Sequence, residues 1–73
     1  MDKRSLSIAG HRTSIALEPE FWAAIEAMAA EKQLSLAALI RDIDDTRQTA
    51  NLSSAVRLAV LAWYQEKAGS GAR

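Results

Sequence analysis

The sequence holds no cysteine, one histidine, one proline and three glycines in 73 residues, and it carries no net charge, with nine basic and nine acidic side chains. Without cysteine there is neither a disulfide nor a thiolate metal site. His11 alone cannot build a multi-histidine site, so no metal and no cofactor is expected. There is no glycine-rich phosphate loop and no pair of carboxylates on a rigid element, so no catalytic residues are assigned and an enzyme is not expected. No apolar run reaches the length of a membrane span, and the start, with Lys3 and Arg4, lacks the apolar stretch of a signal peptide. A cytoplasmic protein without membrane contact is the expectation. The charge balance lends no support to a nucleic-acid or membrane partner.

Apolar residues make up 49% of the chain. A domain this small rarely gains much stability from its own core, and with disulfides and metals excluded, self-association is the remaining support. Residues 1–9 are polar apart from Leu6 and Ile8 and read as a flexible N-terminal arm. The stretch HRTSIALEPEFW then alternates. Thr13, Ile15 and Leu17 share one strand face, and Arg12, Ser14 and Ala16 share the other. Pro19 suits a first helical position, flanked by Glu18 and Glu20 at the positive end of the dipole. Leu17 and Trp22 are spaced as a hydrophobic staple. Phe21, Trp22, Ile25, Met28 and Ala29 recur at helical spacing, which predicts a helix to about Lys32.

Ser35 is a suitable cap for a second helix with an apolar stripe of Leu36, Leu39, Ile40 and Ile43. DDTRQTAN is polar and reads as a loop or frayed joint. Asn51 or Ser53 can cap a third helix, about 52–67. Its apolar residues, among them Leu52, Ala55, Val56, Ala59, Val60, Trp63 and Tyr64, spread over more than one stripe, so burial on most sides is expected. Residues 68–73 read as a flexible tail.

A lone strand leaves its backbone groups unpaired, and two partners compete. Leu6–Ile8 could fold back as a hairpin around Ala9–Gly10, but Asn-Gly is the pair that hairpins prefer there. Alternatively the strand pairs with its own copy about a two-fold axis near Ser14, which also enlarges the core. The two-fold pairing is preferred.

The order of these elements resembles the ribbon-helix-helix family of DNA-binding proteins. The residues that carry the resemblance are AGHRTSIALEPEFW, then LSLAALI, then NLSSAVRLAVL. The last of these is similar to a bacterial subgroup with an additional C-terminal helix. The resemblance implies a mainly α fold with one short strand, an intertwined homodimer, and a domain over residues 10–67. It implies a transcriptional regulator that lays paired strands in the major groove, with Arg12, Ser14 and Ala16 meeting base edges. Phosphate contacts are implied at the start of the second helix, Ser35, Leu36 and Ala37, and from Lys3 and Arg4; Arg47 is a further candidate. The dimer interface and core are expected to hold Thr13, Ile15, Leu17, Trp22, Leu39, Ile40, Ile43, Val56, Val60 and Trp63. The implied partners are a second copy, with higher oligomers open, and double-stranded DNA. Two alternatives stand beside the regulator: an antitoxin paired with a toxin, and a protein-interaction module on the same scaffold.

Overall fold

The computed structural model describes residues 1–47 and 49–71. The strand finds its partner within its own chain. Strands β1 (Asp2–Ile8) and β2 (His11–Leu17) form an antiparallel hairpin, paired from Asp2↔Leu17 to Ile8↔His11. Helices α1 (Pro19–Lys32), α2 (Leu36–Thr46) and α3 (Leu52–Gly71) follow. The hairpin's inner face rests on the helices, β1 against α2, and β2 against α1 and α3.

This corrects two expectations. Residues 1–9 are not an arm, because Asp2–Ile8 is a strand. The pairing that was expected across a two-fold axis between copies is made inside one chain. Three contacts account for it. Leu6 and Ile8 lie on the same face as Thr13, Ile15 and Leu17, and Ile8 is buried in the common core. The indole N–H of Trp22 donates to the Asp2 carbonyl at 2.8 Å, pinning the outer end of β1 to α1. Arg4 stacks over the Trp22 ring, 4.4 Å from its centroid, and pairs with Glu26 at 2.8 Å. The turn is made without Asn-Gly: Ala9 at φ 52° and Gly10 at φ 82° both take the positive φ of a type I′ loop. Glycine does this at no cost; alanine costs about 1–2 kcal/mol. The packing on both sides of the turn offsets that strain.

The helix boundaries follow local chemistry. Pro19 opens α1 after Glu18, whose carbonyl accepts from Trp22 N–H at 3.1 Å. Gln33, at φ 59°, closes α1 with two reverse bonds, Gln33 N–H to Ala30 O and Leu34 N–H to Ala29 O. This is the Schellman arrangement, achieved here without glycine. Ser35 Oγ accepts from Ala38 N–H at 3.1 Å and caps α2. Helix α2 runs to Thr46, so the polar joint begins slightly later than expected. Arg47 pairs with Asp44 at 2.8 Å and donates to the carbonyls of Thr49 and Ala50. Asn51 Oδ1 accepts from Ser54 N–H at 3.2 Å, capping α3. Helix α3 continues to Gly71, where a tail from residue 68 was expected; residues 72 and 73, like Gln48 of the joint, lie outside the described residues.

Trp22, Ile15, Leu17, Ile25, Leu39, Ile40 and Val56 are fully buried. Each such side chain contributes about 1.5–3 kcal/mol of burial free energy. Helix α3 departs from the expectation of burial on most sides. Ala55, Val56 and Val60 face the core, while Leu58, Leu61 and Tyr64 are exposed at 59%, 51% and 52%.

Candidate nucleic-acid interface

Strand periodicity and the pairing register together define the face turned away from the helices. Lys3 lies opposite Ala16, Ser5 opposite Ser14, and Ser7 opposite Arg12. Ala16 is half-buried and the other five side chains are exposed. The face therefore offers two cations, three hydroxyls and one methyl group, with no carboxylate among them. Ser5 and Ser14 Oγ lie 3.2 Å apart, in hydrogen-bond contact across the two strands. The opposite face is anchored in the core, so these side chains project from a supported surface.

The dimensions suit a groove. Two strands lie about 4.8 Å apart, and a two-stranded ribbon enters a B-DNA major groove about 12 Å wide. Arg12 can offer a forked pair of donors to guanine O6 and N7, serine can bond to several bases, and Ala16 can touch a thymine methyl.

Four of the other basic residues sit in ion pairs. Arg4 pairs with Glu26, Arg47 with Asp44, Arg57 with Glu18 at 3.0 Å, and Lys67 with Glu31 at 2.7 Å. Lys3 and Arg12 make no ion pair among the described residues. Lys32 and Arg41 make no ion pair among the described residues either, so the outer face of the ribbon is one of several places that hold unpaired positive charge. The Glu18 carboxyl is held below the ordinary glutamate range, first by a backbone N–H at Glu18 itself and then by Arg57. Lys67 holds the Glu31 carboxyl down in the same direction, with its hydrogen bond the largest cause.

The sequence-predicted phosphate contacts divide. Lys3 belongs to the ribbon's outer face. Arg4 lies on the inner side, stacked over Trp22 and paired with Glu26. Arg47 is likewise committed, to the joint between α2 and α3. The first turn of α2 lies beside the ribbon: Ala37 and Ala38 line an open cleft of about 400 Å³ with Ser7, Ile8 and Ala9. The Leu36 and Ala37 N–H groups come before the first intrahelical donor, Leu39 N–H, which donates to Ser35 O, so they have no acceptor within the helix. Ser35 Oγ is already engaged as the cap. Arg41, which the sequence suggests as a partner of nearby acids, lines the same cleft with Asp42 and Asp45. Its spacing of four from Ala37 puts it on the same helix face.

Of the expected interface and core residues, Ile15, Leu17, Trp22, Leu39, Ile40, Ile43, Val56 and Val60 are buried within one chain; Thr13 and Trp63 are half-buried. Among the described residues, no helix is long and apolar enough to cross a membrane.

A supported two-stranded ribbon followed by a helical layer is the architecture of a small ribbon-bearing module. The model of the ribbon-helix-helix domain matches residues 1–64, and the chain belongs to that family. The match begins at residue 1, so it includes β1. Domains of this family are generally DNA-binding transcription regulators or antitoxins, usually dimeric and typically non-enzymatic. No curated protein and no solved structure matches the chain.

Proposed function

We propose that this protein is a sequence-specific transcriptional regulator that lays the β1–β2 ribbon in the DNA major groove. Arg12, Ser14 and Ala16 meet base edges there, and the Leu36 and Ala37 N–H groups receive a backbone phosphate. The observation that carries this reading is the charge distribution: the outer face of the ribbon holds Lys3 and Arg12 with no carboxylate, whereas four other cations are paired with acids. Phosphate attraction supplies most of the affinity of such complexes, so a neutral protein needs this asymmetry. The protein acts as a homodimer in the bacterial cytoplasm. Family habit supports the dimer, and so does the apolar stripe of Leu58, Leu61 and Tyr64 on α3.

A second reading has its own observation. Phe21, Ala24, Leu58, Val60, Leu61 and Tyr64 line an open groove of about 450 Å³ between α1 and α3, which suits an apolar segment of another protein, such as a toxin. Co-purification of a stoichiometric partner would favour that antitoxin reading.

The deciding experiment is a gel-shift titration of the full chain on randomised duplexes at 50 and 200 mM salt. Binding that weakens steeply with salt, and loses about 1–3 kcal/mol of base discrimination in Arg12→Ala, is the expected result. Undetectable binding at low salt would overturn the proposal.

A further inference from the structure

Helix α3 turns one long face away from the core. Leu58 and Leu61 on that face are more than half exposed, Gln65 and Ala68 are exposed, and Ser54 is half-buried. The spacing of Ser54, Leu58, Leu61, Gln65 and Ala68 is four, three, four and three residues. That is the heptad repeat of a seam between two helices. The core does not account for it, because the residues that the core holds, Ala55, Val56 and Val60, belong to the other side of the helix. No charged side chain stands in the seam. Arg57 and Tyr64, seven residues apart, flank it on one side, and Ala62 flanks it on the other.

We infer that a second copy of the chain docks on this seam with the two α3 helices antiparallel, and with Ser54 level with the partner's Gln65. The inference rests on the homodimer proposed above and deepens it by fixing the surface, the direction and the register. Four layers result: Ser54 against the partner's Gln65, Leu58 against the partner's Leu61, and the same two pairs again by two-fold symmetry. The two central layers are apolar. Each outer layer sets a hydroxyl beside an amide, groups that donate and accept to one another.

The flanks select the direction. In an antiparallel pair the two like flanks meet, so Arg57 comes beside the partner's Tyr64, a guanidinium next to an aromatic ring, and this happens twice. Arg57 already bonds Glu18 at 3.0 Å, so its charge is balanced within its own chain and does not repel the second copy. A parallel pair would bring Arg57 beside the partner's Ala62 instead and would align the two helix dipoles. The face is therefore complementary to itself, which selects a second copy over a foreign helix. From Ser54 to Gln65 the layers span about 17 Å of helix. A seam of that length buries less than a standard interface of about 1,600 Å², so the dimer is weak and its population depends on protein concentration.

The chain has no cysteine, so introduced thiols report contacts without background. Ser54→Cys and Gln65→Cys both lie outside the core, and circular dichroism confirms that each full chain folds. Each is oxidised alone and then as an equimolar mixture, and the products are identified by mass. The mixture is expected to give a disulfide-linked pair holding one chain of each kind, while each variant alone stays largely unlinked. Adding Leu61→Glu to both chains is expected to remove most of the linked product. Linking of Ser54→Cys to itself as efficiently as in the mixture would mean a parallel seam and would overturn the inference. An unlinked mixture, with wild type sedimenting as a dimer, would also overturn it and leave the homodimer standing on another surface. Wild type that sediments as a single chain up to millimolar concentration would bring down the homodimer and this surface together. The gel-shift titration reads the DNA function separately in every case.

Discussion

The Trp22 indole N–H donates to the Asp2 carbonyl at 2.8 Å, and through this bond α1 holds the first residue of β1 in place. Replacing the indole by phenyl removes the donor and keeps most of the buried ring. Trp22→Phe is expected to lower stability by about 1–2 kcal/mol, from the lost hydrogen bond and the smaller ring. Amide hydrogen exchange locates the effect: β1 amides should exchange faster, while those of α2 keep nearly their original protection. Unchanged exchange across β1 would show that the bond does not hold the strand.

The turn stores strain that a single substitution can release. Ala9 sits at φ 52°, where asparagine is tolerated much better than alanine. Ala9→Asn is expected to raise the midpoint of urea unfolding by an amount corresponding to about 0.5–1 kcal/mol. Proline at the same position, with φ held near −65°, is expected to disrupt the hairpin.

Acid is expected to weaken the fold through Glu18 and Glu31. Both carboxyls lie below their ordinary range in the folded chain, Glu18 beside Arg57 and Glu31 beside Lys67. A folded value below the unfolded one means the native state favours the ionised form. The contribution is complete above the unfolded glutamate value, about 4.3, and is lost as pH falls through the lowered folded values. Thermal melts between pH 7 and pH 2.5 should therefore show a decline that begins below about pH 4.5. Arg57→Ala and Lys67→Ala should each make it shallower.

Helix α3 separates stability from association. Ile40 of α2 is fully buried against the core that α3 helps to close, whereas Leu58 is 59% exposed. Ile40→Ala is expected to cost about 2–5 kcal/mol. Leu58→Glu is expected to leave the melting temperature nearly unchanged and to shift sedimentation toward the single chain. Sedimentation identical to wild type would remove the α3 stripe from the dimer contact.

The parts of the fold that were legible in the sequence are those fixed by near neighbours. The β2 alternation, the Pro19 helix start and the Ser35 cap each depend on residues within one or two turns of chain. Arg12, Ser14 and Ala16 were placed on one face by period two alone, and the register agrees. Strand β1 is hard to read locally, because Ala9–Gly10 lacks the preferred turn residues and the Leu6 and Ile8 alternation is short. What decides the matter is distant in sequence: Trp22 and Glu26 hold Asp2 and Arg4. Lys3 was expected only as a phosphate contact; its place on the ribbon's outer face, opposite Ala16, depends on residues 2–8 being a strand. Arg4 went the other way, because no local pattern announces a guanidinium stacked over an indole.

The two-residue turn between the strands also determines the kinetics. Ribbons assembled from two molecules form by a second-order step, and their rate depends on how often those molecules meet. Closure around Ala9–Gly10 is a first-order event of the kind completed in about 1–10 μs. The refolding rate of this ribbon is accordingly independent of dilution, whatever association follows.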